Sequence, residues 1–330
     1  MINEKEFEFL GIKRWHELGY KGQGIKVASH EVIVPGVFDD VFVLNYGQKG
    51  NDYDEHGTLV MDYIRQVVPD AEKFSIESNT SIINGKIKSE AIDWLLANTP
   101  DFLGTANHSG LIKDYRLKPY YQELYNRGCF LVCSAGNKQE KINKLAEGNL
   151  WKAIGSCRYN NGKPKKEKDY VNDEELDFVS LHNLYSSYND KKNLGDSFSY
   201  EIFMGMCALV QCFFLKKTGK KLSHEKLLKF VIDNCLDLDE EGRDIKTGYG
   251  LFILPEPTII DISKYCENYK ESSEEDMPRY NTLEEVPEWG KPTVEKLINK
   301  GALKGDENGL NMPEVLLRTL VIHDRLGIYD

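Results

Sequence analysis

The sequence predicts an α/β fold: a three-layer α/β/α sandwich with a mostly parallel central sheet, followed by a small helical C-terminal module. Three observations point there. Apolar runs alternate with stretches of helical spacing through most of the first 255 residues, the pattern of a parallel sheet with helices on both faces. The composition, 41% hydrophobic and 29% charged over 330 residues, is that of a globular protein able to bury a large core. The composition then shifts after Pro255 and Pro257, and a compact segment follows the polar stretch that ends near residue 280.

The elements follow in order. Phe7, Leu10, Trp15 and Leu18 give residues 7–20 a helical pattern, broken by Gly22-Gln23-Gly24. Ile25 to Ala28 begins a buried strand, and Phe38 to Leu44 is a second. His56 to Val67 is helical and ends before Pro69. Phe74 to Ile76 is a strand, and Ser89 to Leu96 a helix closed by Pro100. The strands Phe102-Leu103 and Phe130 to Cys133 flank a helix over Tyr120 to Tyr125. Ala153 to Gly155 and Phe178-Val179 are short strands around a lysine-rich surface insertion at 159–177. Ser199 to Lys216 is a buried helix, and Ser223 caps an amphipathic one reaching Asn234. This divides the chain into a main domain at 1–267, an acidic linker at 268–280 and a module at 281–330.

Several function classes are disfavoured. A net charge of −11 argues against a nucleic-acid groove. The longest apolar stretch, Ile202 to Leu215, spans 14 residues, too short for a bilayer, so no membrane is expected. The N-terminus is charged at once and lacks the apolar region of a signal peptide. The seven cysteines form no C-x-x-C pair and read as free thiols of a reducing compartment, which predicts a cytoplasmic location. No calcium loop and no zinc spacing is visible, so no metal or cofactor is expected.

Three residues in chain order carry a chemical hypothesis: Glu31 after a strand, and His56 and Ser197 opening helices. Parallel sheets gather sites at the carboxyl ends of their strands, and all three placements suit one rim. A serine hydroxyl becomes nucleophilic when a base takes its proton. Histidine titrates near neutrality, and a carboxylate on its far nitrogen fixes the tautomer. Glu31 could supply that carboxylate; His30 and Asp54 are alternatives close by. Asn137, after the strand Phe130 to Cys133, offers an amide to a developing oxyanion, and the Ser197 N–H a second donor.

These residues carry a family resemblance. Gly22 to Ala28 followed by an acid, His56-Gly57-Thr58, Ala135-Gly136-Asn137, Gly195-Asp196-Ser197-Phe198-Ser199 and Gly248-Tyr249-Gly250 resemble, in order over about residues 8–256, the motifs of subtilisin-like serine proteases. The resemblance implies that Ser197 attacks, His56 moves the proton, Glu31 orients His56 and Asn137 holds the oxyanion. Substrate-binding walls are expected from Ala106, Asn107, His108, Ser109 and Gly110, and from Ser134, Ala135 and Gly136. About 24 residues precede the first motif strand, so no pro-domain is expected, as in intracellular members; residues 1–12 could cover the cleft or be trimmed.

The chain departs from the family at informative places. The family's aspartate is Glu31, its threonine before the serine is Asp196, and its proline four residues on is Glu201. At the start of the serine helix, Asp196 is expected to cap and Glu201 to suit the dipole. An anionic Asp196 would also favour imidazolium and raise the His56 pKa.

Trp289, Val294, Leu297, Gly301, Ala302, Leu303 and Gly305 resemble one divergent S-layer-homology-like repeat, of the kind found in phage-derived and cell-wall hydrolase proteins. The module at 281–330 would then bind cell-wall polymer, or else act as a small helical interaction or dimerisation unit. The expectation is an intracellular, phage-related serine endopeptidase acting on peptide or protein. The alternatives are an inactive homologue that binds peptide or a partner protein, and a wall-associated protein working through its tail.

Overall fold

The computed structural model describes residues 2–46, 53–78, 81–83, 86–106, 117–136, 142–143, 145–146, 148–160, 162–166, 171–267, 269, 279–307 and 309–329. The chain divides into two compact units, Met1–Glu267 and Asn268–Asp330.

The first unit opens with α1 (Glu4–Phe9) and α2 (Ile12–Glu17), then β1 (Lys26–Ser29), β2 (Val41–Tyr46), α3 (Tyr53–Val67) and β3 (Glu72–Ser78). A small hairpin, β4 (Ser81–Ile83) and β5 (Lys86–Lys88), precedes α4 (Glu90–Asn98), β6 (Phe102–Thr105), α5 (Lys118–Asn126) and β7 (Phe130–Ser134). Next come β8 (Lys152–Asn160), β9 (Lys163–Lys166), β10 (Phe178–Leu181), α6 (Tyr200–Thr218), α7 (His224–Asp233), β11 (Cys235–Leu236) and β12 (Leu251–Phe252).

The main sheet runs β11-β12-β10-β8-β7-β6-β1-β3-β2, with β9 paired to β8. Every pairing is parallel except β11 with β12 and β8 with β9. This is the predicted α/β sheet flanked by helices. The central strands β6, β7 and β10 are buried at every position, as parallel strands covered on both faces must be. Registers such as Ser29 against Gly104 and Thr105 against Cys133 align the carboxyl ends of β1, β6 and β7 on one rim.

Helix α6 is long and apolar enough to cross a membrane by length and composition, but nearly all of it is buried in this unit. It packs along α3 and beneath the central strands as a core helix. Ser89 and Ser223 accept hydrogen bonds from Ile92 and Lys226 N–H, capping α4 and α7 where serine caps are expected.

The structure corrects the sequence reading at the N-terminus. The helical pattern over 7–20 is not one helix: it breaks at Gly11, whose φ is +81°. A Cβ at Gly11 would lie 2.4 Å from the Leu254 carbonyl oxygen, so the close approach of the 254–255 segment forces the break. Nor is this segment a detachable flap. Phe7, Leu10, Ile12 and Trp15 are fully buried, Leu254 N–H donates to Leu10 O and Trp15 Nε1 to Pro255 O. The Asn3 side chain exchanges two hydrogen bonds with the Tyr185 backbone, at 2.7 and 2.8 Å. The lysine-rich insertion also has structure, since β9 folds back on a β8 longer than its apolar core predicts.

The second unit pairs β13 (Arg279–Tyr280) with β14 (Met312–Pro313) and adds α8 (Lys291–Asn299) and α9 (Glu314–Arg325). Val286, Val294, Met312, Leu317 and Val321 form its own small core.

Candidate active site

Glu31 leaves the end of β1, between β3 and β6. The backbone at this strand end is tied to both neighbours: Ser75 Oγ donates to Glu31 O at 2.6 Å, and the preceding His30 N–H to Gly104 O at 2.8 Å. Its carboxylate is nearly buried and divides its two oxygens. Oε1 accepts the Ala106 N–H at 2.9 Å; Oε2 lies 3.3 Å from His56 Nδ1. The backbone donor fixes the carboxylate plane, so the second oxygen is presented to the imidazole.

His56 sits in the first turn of α3, and its two following residues explain why it reaches Glu31. A Cβ at Gly57 would lie 1.7 Å from the Val32 carbonyl oxygen, so only glycine lets the helix press against the turn after Glu31. Thr58 Oγ1 then accepts the Val34 N–H at 2.9 Å and locks that turn to the helix. The His56 side chain is 38% exposed and that of Glu31 only 9%. The ring therefore keeps access to solvent while its partner does not.

Burial works against a charged imidazole, yet the hydrogen bond and charge of Glu31 outweigh it and raise the His56 pKa above its usual 6.5. The alternative acid and base are placed elsewhere or lie outside the description. His30 is buried, with Nδ1 at 3.0 Å from Ile76 O and Nε2 at 3.4 Å from Tyr121 Oη. Desolvation pushes its pKa down to about 4, so it is neutral at ordinary pH. The Asp54 side chain lies outside the described residues.

Ser197 occupies a 3-10 turn, Asp196–Phe198, immediately before α6. The preceding Gly195 takes φ +135°, and its N–H donates to His182 Nδ1 at 3.1 Å. The next residue, Phe198, places its ring 5.4 Å from the His56 ring and 5.6 Å from that of Tyr63. The serine turn thus packs on the same face of α3 that carries the histidine.

The two unusual carboxyls differ from their expected roles. Ser199, not Asp196, is the N-cap of α6, and no side chain caps it. Asp196 is fully buried, and desolvation lifts its pKa to about 8. It is therefore mostly neutral at pH 7, and the raised His56 pKa comes from Glu31 instead. Glu201 does sit in the first turn of α6 but is fully buried. Neither of its oxygens has a hydrogen-bond partner, and desolvation pushes its pKa well above the ordinary value. Its place in the first turn is the expected one, and burial disfavours the charge that a helix dipole would act on.

The expected walls are partly described. Ala106 presents its N–H to Glu31. Ser134 and Ala135 are buried at the end of β7: the Ser134 carbonyl accepts Asn143 Nδ2 at 3.2 Å, and Ala135 uses its N–H on Ile154 O and its carbonyl on Asn143 N–H. Gly136 follows at φ +129°. Asn107, His108, Ser109, Gly110 and Asn137 lie outside the described residues. Asn143 was invisible to sequence reading, because no local pattern marks a side chain that braces a strand end across six or more residues. The Ala106 donor was equally hidden, since every residue but proline carries an N–H.

The main sheet matches a solved protease. The chain superposes on a structure described as a lanthipeptide protease with a TM-score of 0.58 at 17% identity, covering 77% of this chain and 94% of that one. At that identity the likeness speaks for the fold. No protein-family model matches the chain, and no curated protein matches it.

Proposed function

We propose that this protein is a serine endopeptidase of the subtilisin-like kind, cleaving peptide or protein through an acyl-enzyme on Ser197. The observation that carries the reading is the buried Glu31 carboxylate, held by the Ala106 N–H and aimed at His56 Nδ1. In this reading Glu31 keeps the proton on Nδ1 and leaves Nε2 free to take the Ser197 proton. As the imidazolium forms, the same carboxylate stabilises it. Nε2 then returns the proton to the leaving amine. Asn137 and the Ser197 N–H would receive the oxyanion. Two facts support the class: the five motifs stand in order along the chain, and a solved protease shares the fold.

The location follows the same chemistry. All seven cysteines are free thiols and five are buried, which supports a reducing, cytoplasmic setting. For the C-terminal unit we propose a protein or cell-wall partner.

A fluorophosphonate probe tests the function directly. Native protein should be labelled, and Ser197→Ala and His56→Ala should not be. A native chain that takes no label, or a label that survives Ser197→Ala, would replace this reading with that of a peptide-binding homologue without turnover.

A further inference from the structure

Asp62 lies on α3, six residues after His56, and is completely buried. A buried carboxyl group needs hydrogen-bond donors, and this one collects four. Three come from one short stretch: Ser186 Oγ and Ser187 N–H donate to Oδ2 at 2.8 and 2.7 Å, and Ser187 Oγ donates to Oδ1. The fourth is Gln66 Nε2, which donates to Oδ2 at 3.0 Å. Both serines lie near the tip of an excursion over residues 183–193. Its two arms pair antiparallel: Asn183 N–H donates to Asn193 O, Asn193 N–H to Leu184 O and Ser186 N–H to Lys191 O, with a bridge between Tyr185 and Lys192. Tyr63, the next residue of α3, holds the base of the excursion. Its hydroxyl donates to Leu184 O at 2.7 Å and accepts Asn193 Nδ2 at 3.0 Å.

We infer that Asp62 is a positioning residue: it fastens the 183–193 excursion to α3, and the excursion sets the turn that carries Ser197 against the helix that carries His56. This rests on the reading of Ser197 as nucleophile and His56 as base. The path of the chain supplies the reason. The excursion leaves from His182, just past the end of β10, and returns at Gly195, immediately before the Asp196–Phe198 turn. Its two ends meet: Gly195 N–H donates to His182 Nδ1 at 3.1 Å, and His182 N–H donates to Cys157 O on β8. The base of the excursion is thus tied to the sheet, and its tip to α3. His56 and Tyr63, seven positions apart, share one face of α3, and the Phe198 ring packs against both, at 5.4 and 5.6 Å. A slide of the excursion along α3 would carry Gly195 with it and move Ser197 relative to His56. The Asp62 carboxyl opposes that slide in two directions, because its two oxygens receive different atoms of Ser187. The Asn3 amide, already paired with the Tyr185 backbone, donates to Gln66 Oε1 at 2.9 Å, so the residue before α1 joins the same clasp.

The test uses the full chain and two readouts. The first is hydrogen exchange at two amides: Ser187 N–H reports the clasp and Gly195 N–H reports the serine turn. In Asp62→Ala the protection of both should fall about tenfold or more. In Asp62→Asn both should persist, because the amide oxygen still accepts the Ser187 N–H and its Nδ2 can donate to the Ser187 hydroxyl. The second readout is the rate of fluorophosphonate labelling at Ser197, with KM for a peptide substrate. Labelling should slow about 10- to 100-fold in Asp62→Ala while KM stays within about twofold, and Asp62→Asn should restore most of the rate. If Asp62→Ala does not fold, the double variant Ser186→Ala, Ser187→Ala, which withdraws two of the donors, carries both expectations. Unchanged Gly195 exchange, or labelling at the native rate in whichever variant folds, makes Asp62 a local tie and overturns the inference. A native protein that takes no label overturns the protease reading alone, and Gly195 exchange still decides whether Asp62 holds the turn.

Discussion

The Oε2 of Glu31 lies 3.3 Å from Nδ1 of His56, while Oε1 of the same carboxylate takes the Ala106 N–H at 2.9 Å. An extra methylene relative to aspartate thus does not push the acid past its partner. It lets one buried carboxylate bridge two neighbouring elements, the end of β6 and the start of α3.

That bridge sets the pH dependence. A base must be neutral to accept a proton, and Glu31 raises the His56 pKa above 6.5. Activity should therefore rise with pH along a limb centred above 6.5. In Glu31→Gln the raising influence is gone and burial remains, so the limb should move below 6.5. kcat should also fall about 10²- to 10⁴-fold, because an amide no longer fixes the tautomer or stabilises imidazolium. The kcat/KM–pH profiles of the two proteins check both statements.

Glu31→Asp tests the length of the bridge. The shorter acid can keep the Ala106 N–H or approach His56, and keeping both requires the turn to move. The expected result is a loss of about tenfold or more in kcat/KM with little change in melting temperature. Full activity would show that the longer side chain is not required here.

Gly57 has no room for a methyl group. A Cβ there meets the Val32 carbonyl oxygen at 1.7 Å, so Gly57→Ala must push α3 away from the Glu31 turn. Destabilisation of about 3 kcal/mol or more is expected from such a backbone clash. Chemical denaturation measures it, and the His56–Glu31 link should be lost with it.

Glu201 should show in stability rather than in rate. Its folded-state pKa is raised by burial. Below the unfolded value of 4.5 both states hold the proton and no penalty exists. As pH rises past that value the unfolded chain ionises first, and the folded state loses ground until its own raised pKa is passed. Glu201→Gln abolishes that loss. Its melting temperature should exceed the native one by a margin that grows between pH 5 and pH 8. A constant margin would mean that Glu201 is ionised in the folded protein.

The C-terminal unit has its own core, and Leu317 is fully buried in it. Leu317→Ala should cost about 3 kcal/mol, enough to open a unit of this size. Limited proteolysis should then remove the segment after about residue 267 and leave the main unit with unchanged labelling at Ser197.

The amino-acid sequence by itself determined the succession of elements and named the candidate groups of the site. Alternation of short apolar runs with helical periods is local information, and it marked β1, β3, β6, β7, β10 and helices α3 to α7 near their final places. The residue order Glu31, His56, Ser197 is likewise written in the chain. What only the tertiary structure decided is distance and dielectric. Residues 7–20 have the period of one helix, yet Leu254, more than 230 positions away, leaves no room at Gly11 and splits it. Asp196 and Glu201 look like helix-start acids, but the fold buries both completely, and desolvation raises the pKa of each. The sequence names Glu31 as partner for His56 but leaves His30 and Asp54 beside it as alternatives. The Ala106 N–H and the missing side chain of Gly57 single out Glu31 for that role. A carboxylate's charge, and the base it serves, depend on groups that converge from distant parts of the chain, and no local pattern records them.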